Sequence, residues 1–347
     1  MTKTVLVCEA QVPFVHGGAE LHVRGLVAEL GRRGYRAEKI SVPFKWYPKE
    51  ELLAQAAAWR LIDLSEANGV RIDTVIATKF PTYFVRHPWK VTWLFHQYRA
   101  IYDLFDTPYT EFSHTEADVR LRDRLIALDN DVLGESARLF ANARNTAARL
   151  ARYNGLTAEP LYHPPPLAGR MTRGAFGDYV LSVGRLEGNK RVDLIVRALA
   201  HAGGRTRLVV AGDGPLRQQL ENTAAEAGVA DRVTFTGPVS EQALVDLYAG
   251  ALAVVFPPFD EDYGYVTLEA FLAGKPIVTT TDAGGPLEFV EDGVTGLVCE
   301  PRPEALGAAI ARLAGDPGAA RSLGDAGYER ARIITWDGVV DRLMADA

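Results

Sequence analysis

An α/β protein of two successive Rossmann-like, doubly wound domains is predicted by three observations. Short apolar runs alternate with amphipathic stretches along the whole chain, the pattern of parallel strands covered by helices on both faces. The alternation breaks once, at Pro164-Pro165-Pro166, and then begins again. With 347 residues the chain is long enough for two full cores. The expected domains are therefore 1–166 and 167–333, with a last helix over 334–347 that could cross back to the first.

Composition sets the class. Hydrophobic residues make up 48% and charged residues 24%, as in ordinary globular chains. Cys8 and Cys299 are too few for a disulfide framework, so a reducing cytoplasm is expected. No signal peptide is visible and no apolar run approaches roughly eighteen residues, so no membrane span is expected. The net charge is −6. Residues 1–166 hold 21 Lys and Arg against 19 Asp and Glu, and the remainder holds 17 against 25. An acidic whole argues against nucleic acid as a partner, while the near-neutral first half leaves room for local contact with an anionic surface.

In the first half, Thr4 to Cys8 reads as a strand. The loop Pro13-Phe14-Val15-His16-Gly17-Gly18 follows, and then a helix from Ala19 to Arg33 closed by Gly34. Gly17 and Gly18 ahead of a helix let the backbone approach a ligand and can present amides to a phosphate; they equally make a plain tight turn. Phe44, Lys45, Trp46, Tyr47 and Lys49 mix aromatic and basic side chains before a helical run over Glu50 to Glu66. Such a stretch can meet a membrane surface or stack on a sugar, and it can also be a core contact with snorkelling lysines. Strands are expected at Asp73 to Ala77 and Lys90 to Phe95. The second ends at His96, where open α/β sheets bind ligands. Residues 103–135 read as mostly helical, Ala137 to Ala141 as a strand, and Arg144 to Tyr153 as a helix stopped at Asn154-Gly155.

In the second half, Asp178 to Val183 is a strand that leads into Gly184-Arg185-Leu186-Glu187-Gly188-Asn189-Lys190-Arg191 and a helix through Leu199. Arg185 and Lys190 straddle this strand-to-helix loop, where two cations can neutralise a diphosphate. The strand Leu208 to Ala211 ends in Gly212-Asp213-Gly214-Pro215, half of a dinucleotide fingerprint with Arg217 in place of the last glycine; Pro215 suits the first turn of the next helix. Further strands are expected at Arg232 to Phe235, Leu252 to Phe256, Pro276 to Thr280 and Leu297 to Cys299. The helices expected between and after them are Glu241 to Tyr248, Gly285 to Glu291, Glu304 to Leu313 and Trp336 to Met344.

The stretch Phe256 to Gly285 concentrates the chemistry. After Pro257-Pro258 the chain reads as a helix ending near Gly274, carrying Glu261 and Glu269 eight positions apart, a little over two turns. If the loop winds straight into the helix, both acids face one crevice. The amides of Gly264, Tyr265, Val266 and Thr267 then lie at a helix N-terminus and favour an anion. Carboxylates for hydroxyls and amides for a diphosphate suit a sugar nucleotide, although acidic residues early in a helix also simply complement its dipole.

These residues together resemble the retaining glycosyltransferases of family 4, of GT-B architecture, over nearly the whole chain. The family's Gly-Gly-Ala-Glu stands here as Gly17-Gly18-Ala19-Glu20. Its diphosphate-holding Gly-Arg-Leu and later Lys stand as Gly184-Arg185-Leu186 and Lys190. Its E-x7-E signature falls on Glu261 and Glu269. The resemblance implies two domains facing a central cleft. It also implies that Glu261 contacts the transferred sugar, Glu269 the nucleotide ribose, and that His96 lies near the donor sugar. The implied donor is a UDP- or GDP-sugar of hexose type, used without a metal. The implied acceptor is a hydroxyl on a saccharide, a lipid-linked saccharide or a small molecule. The expected location is the cytoplasm, with weak peripheral contact at the inner face of the membrane left open. Where the family usually shows Gly-Phe-Gly-x-Pro, this chain has Asp262-Tyr263-Gly264-Tyr265-Val266, which leaves the donor sugar open. Two alternatives stand beside this reading. One is a metal-dependent GT-A transferase, because Asp260-Glu261-Asp262 and Asp129-Asn130-Asp131 match a D-x-D triplet. The other is a protein that binds a sugar nucleotide without transferring the sugar.

Overall fold

A computed structural model of the protein describes residues 2–14 and 17–345. Val15 and His16 of the first glycine loop, and the last two residues of the expected terminal helix, lie outside the described residues. The chain divides into two units, Met1–His163 with Thr335–Ala347, and Pro164–Ile334.

The first unit is a parallel sheet of six strands: β1 Thr4–Gln11, β2 Arg36–Pro43, β3 Thr74–Ala77, β4 Lys90–Leu94, β5 Arg138–Ala141 and β6 Glu159–Pro160. Their order is β2-β1-β3-β4-β5-β6, with β1 in register so that Val7 lies beside both Lys39 and Ile76. Because successive strand side chains point to opposite faces, the continuous apolar run of β1 feeds two cores. Val5 and Val7 pack with Val23, Leu26 and Leu30 of α1 (Gly18–Arg32). Leu6 and Cys8 pack with Leu52 and Trp59 of α2 (Glu51–Leu61), Leu125 and Leu133 of α3 (Glu116–Gly134), and Leu150 of α4 (Arg144–Asn154).

The second unit is again a six-stranded parallel sheet: β7 Tyr179–Val183, β8 Arg207–Ala211, β9 Val233–Gly237, β10 Ala253–Val255, β11 Ile277–Thr280 and β12 Gly296–Cys299. The order is β9-β8-β7-β10-β11-β12. All neighbours are parallel, and the order in which the chain adds strands reverses between β7 and β10, so the loops after these two strands flank the switch point where such sheets bind ligands. Helices α5 (Val192–Ala198), α6 (Arg217–Glu226), α7 (Glu241–Gly250), α8 (Tyr265–Leu272), α9 (Pro303–Gly315) and α10 (Pro317–Ala331) connect or cover the strands. The chain then returns to the first unit, where Val339, Val340 and Leu343 of α11 (Asp337–Met344) join the core of Val5, Val7 and Trp93.

Several expectations are corrected. The helix expected over Glu50 to Glu66 stops at Leu61, and Glu66–Ala67 pairs with Val70–Arg71 in a small hairpin. Asn68 and Gly69 turn that hairpin with positive φ, the behaviour of an Asn-Gly pair. Residues 103–115 are turns, and the helix starts only after Thr115, whose side chain caps the Asp118 amide. β2 and α10 carry no expectation above, since β2 is an edge strand with a largely polar face. The Gly285 to Glu291 helix shrinks to a 3₁₀ turn at Gly285–Glu288. Pro215 stands outside its helix, which begins at Arg217. Among the described residues, no helix is long and apolar enough to cross a membrane.

Candidate active site

In the second unit the first loop leaves β7 through Gly184, with φ of +142°, and the β8 loop passes behind it at Gly212. A Cβ on Gly212 would collide with the Gly184 carbonyl, so these glycines serve close backbone approach. The Leu186 amide donates to the Asp213 carbonyl at 3.0 Å, which ties the two loops together. Gly212 and Asp213 thus shape the loop that carries Arg185 and Lys190. The Arg185 guanidinium is half-exposed and meets Glu187 at 2.6 Å. Lys190 lies on a one-turn 3₁₀ segment, and its ammonium forms an ion pair with Glu261.

Glu261 therefore does not sit on a helix, contrary to the expected winding from Pro258 to Gly274. Its stretch is extended: Asp260 N donates to Asp282 O at 2.9 Å, Glu261 N to Ala283 O at 2.8 Å, and Gly285 N back to Glu261 O at 2.7 Å. Two consecutive prolines and the positive φ of Asp260 keep this segment out of the helix. The helix begins after Gly264, whose φ of +81° is left-handed and where an added Cβ would lie 3.1 Å from the rings of both Phe256 and Pro286. Tyr265, Val266 and Thr267 form the first turn of α8, and the Thr267 hydroxyl is buried without a hydrogen-bond partner. Glu269 lies one turn on, buried. Its Oε2 accepts from the Tyr248 hydroxyl at 2.7 Å. Burial pushes its carboxyl above the usual range, and the Tyr248 hydrogen bond offsets part of that. Burial raises the Tyr265 phenol, and repulsion from the Tyr263 phenol and then from the Glu269 carboxylate adds to it.

One residue that sequence reasoning passed over organises these loops. Arg191, at φ +50°, donates to the Pro257 and Pro258 carbonyls at 2.8 and 2.7 Å and to Thr280 Oγ1 at 2.9 Å. It also grips both oxygens of Asp282, at 2.7 and 2.8 Å. Burial works against Asp282's charge, yet this bidentate pair keeps its carboxyl below the ordinary range. The only sequence signal was a second basic residue beside Lys190. Tyr248, on a different helix from Glu269, had no signal at all.

The remaining singled-out residues belong to the first unit. Gly17 caps α1, its amide donating to Glu20 Oε2 at 2.9 Å, and Gly18 is the first helical residue. Glu20 Oε1 lies 3.1 Å from the Lys79 ammonium. Burial disfavours the Glu20 charge, but Lys79 and the Gly17 amide prevail and hold its carboxyl below the usual range. His96 stands just past the end of β4, its Nδ1 2.7 Å from the Gln97 carbonyl. Of the two acidic triplets, Asp129-Asn130-Asp131 is disqualified as a metal site by its first member. Asp129 is fully buried on α3 and bonded to the Tyr102 hydroxyl.

A family model described as "Glycosyl transferases group 1" matches residues 177–330. The D-inositol 3-phosphate glycosyltransferase of Actinosynnema mirum is 31% identical, over 92% of this chain and 83% of its own length. Two solved structures are similar in fold at low identity. Sucrose-phosphate synthase of Thermosynechococcus elongatus has a TM-score of 0.77 at 19% identity, covering 98% of this chain and 97% of that one. Alr3699/HepE of Anabaena, in complex with UDP-glucose, has a TM-score of 0.70 at 17% identity and covers 98% of both chains. The fold, the family motifs on their loops and a relative matched along most of its length agree: this chain belongs to the group 1 glycosyl transferases, glycosyltransferase family 4, with the GT-B fold.

Proposed function

We propose that the enzyme transfers a hexose-type sugar from a nucleoside diphosphate sugar to a hydroxyl acceptor with retention of anomeric configuration, and that the second unit holds the donor. The observation that carries this reading is the Lys190–Glu261 pair at the switch point of the second sheet, followed at once by the N-terminal turn of α8. A cation, a carboxylate and helix amides of this kind serve a diphosphate and the hydroxyls around it. Arg185 and Lys190 stabilise the charge that develops on the leaving diphosphate, with the amides of Gly264, Tyr265 and Val266 beside them; the Thr267 amide, expected to join them, instead donates to the Gly264 carbonyl at 3.0 Å. Glu261 orients the transferred sugar and Glu269 accepts from the ribose. His96 acts near the donor sugar, as in the family that the chain resembles. The acceptor hydroxyl attacks from the face the diphosphate leaves, and the departing phosphate takes its proton, so no enzymic nucleophile is required. The base is uracil or guanine, and the UDP-glucose complex of the Anabaena structure favours uracil. No metal is needed for this chemistry, so activity persists in excess EDTA.

Charge-assisted hydrogen bonds are worth roughly 1.5–3 kcal/mol each, so Arg185→Ala or Lys190→Ala costs at least about tenfold in turnover. Glu269→Ala weakens UDP binding in calorimetry, whereas Glu261→Ala chiefly lowers turnover. Negligible effects from both would remove the site assignment, and an inverted product anomer by NMR would remove the retaining mechanism.

A further inference from the structure

Glu269 holds a carboxylate where the fold gives it little compensation for leaving water. It is 8% exposed, and among the described residues it forms no ion pair: the Lys190 ammonium goes to Glu261 and the Arg191 guanidinium to Asp282. Its side-chain hydrogen bond comes from a neutral group, the Tyr248 hydroxyl, which donates to Oε2 at 2.7 Å. Taking an ionised carboxylate out of water costs free energy that one neutral donor returns only in part. An apolar pair of the same shape would pack here without that cost, so packing alone does not account for the two residues.

Tyr248 comes from α7, the helix that leads into β10 and so to the switch point of the sheet. Its ring is fully buried, at 0% exposure. Burial, and then the field of the Glu269 carboxylate, push its phenol well above the usual range, so it stays protonated and remains a donor. A phenol has a single proton, and here Oε2 takes it. The other oxygen, Oε1, accepts from no side chain among the described residues and is not one of the sealed polar atoms of the core. The carboxylate is thus held by one oxygen and presents the other.

We propose that Tyr248 is a positioning residue that sets the specificity of the donor site for ribose: by fixing Oε2 of Glu269 it aims Oε1 at the vicinal ribose hydroxyls, so that the second unit takes ribonucleoside diphosphates and discriminates against their dideoxy counterparts. The inference rests on the donor reading above, in which Glu269 accepts from the ribose. A site built to hydrogen-bond a hydroxyl rejects the analogue that lacks it, because the acceptor is then left desolvated and unpaired. Tyr248→Phe keeps the ring and its packing but releases Oε2. The carboxyl group, already raised by burial, then takes up a proton or turns toward another donor, and either state is a poorer acceptor for ribose.

The test is titration calorimetry on the intact protein with UDP and 2′,3′-dideoxy-UDP, and with GDP and its dideoxy counterpart. For whichever base binds, the parent is expected to favour the ribonucleotide at least about tenfold. Tyr248→Phe loses about tenfold for the ribonucleotide and little for the dideoxy form, so the ratio falls to within about threefold, with thermal unfolding confirming that the variant is folded. In a Glu269→Gln background the same substitution changes the ratio no further, since its effect passes through the carboxylate. A folded Tyr248→Phe that keeps the parent ratio, whether both affinities hold or both fall alike, overturns the proposal and leaves the donor reading standing. A parent that binds ribo and dideoxy forms equally removes the ribose role of Glu269 and that of Tyr248 with it. Binding of neither UDP nor GDP overturns the donor reading and this proposal together.

Discussion

Asp129 sits fully buried on α3, with Oδ2 accepting from the Tyr102 hydroxyl at 2.7 Å, and burial raises its carboxyl to about 7. Its folded value therefore lies above its unfolded one. Folding retains a proton that the unfolded chain gives up above about pH 4, so stability falls as pH rises from about 4 to about 7 and then levels. Asn at this position keeps the acceptor for Tyr102 and cannot ionise. Asp129→Asn is expected to stabilise the protein relative to the parent by more at pH 8 than at pH 5, by about a few kcal/mol at most, which appears as a larger rise in unfolding temperature at pH 8. Calorimetric scans showing the same difference at both pH values would contradict this. Glu269 is raised for the same physical reason, but it was visible in the sequence because it belongs to a spaced pair. Asp129 was visible only as a false metal triplet, because a D-x-D pattern does not show which carboxylate faces inward.

Among the elements, the Pro257–Gly264 stretch shows how a loop rather than a helix comes to carry Glu261. Two prolines forbid helical hydrogen bonding, and the carbonyls of both are satisfied by a single guanidinium, Arg191. Arg191→Ala leaves these carbonyls and the Asp282 carboxylate without that partner, so the expected cost is about 2–4 kcal/mol in urea unfolding. UDP affinity falls with it, because Glu261 loses its fixed approach to Lys190. Arg191→Lys retains the charge but not the planar fork, and an intermediate loss is expected. A change within about 0.5 kcal/mol for Arg191→Ala would show that the loop holds itself.

Over the whole molecule, the C-terminal helix belongs to the opposite end of the sequence from the strands it covers. Val339, Val340 and Leu343 of α11 pack on the core that contains Val5, Val7 and Trp93. Leu343→Ala should cost about 2–5 kcal/mol. Hydrogen exchange should show lost protection in β1 and β4 while β7 and β8 keep theirs, because the second unit has a core of its own. Equal loss in both units would mean that they unfold as one cooperative block.

The architecture was legible because buried parallel strands are short, apolar and regularly spaced. The triple proline and the two glycine loops stand out against that rhythm. Lys190 was legible as a motif residue on a loop, where residue type reports chemistry rather than packing, and Glu261 as one of a spaced pair, although on an expected helix that the structure replaces with extended chain. Their mutual contact was not, since 71 residues separate them and only the order of strands β7 and β10 brings their loops together. The same holds for Tyr248 beneath Glu269, Arg191 across two strand ends and Glu20 answering Lys79. Local sequence determines which segments form strands, helices and ligand-facing loops, because periodicity and turn chemistry act over a few residues. Which charge meets which partner, and at what degree of burial, depends on contacts distant in the chain, and only the tertiary structure decides that.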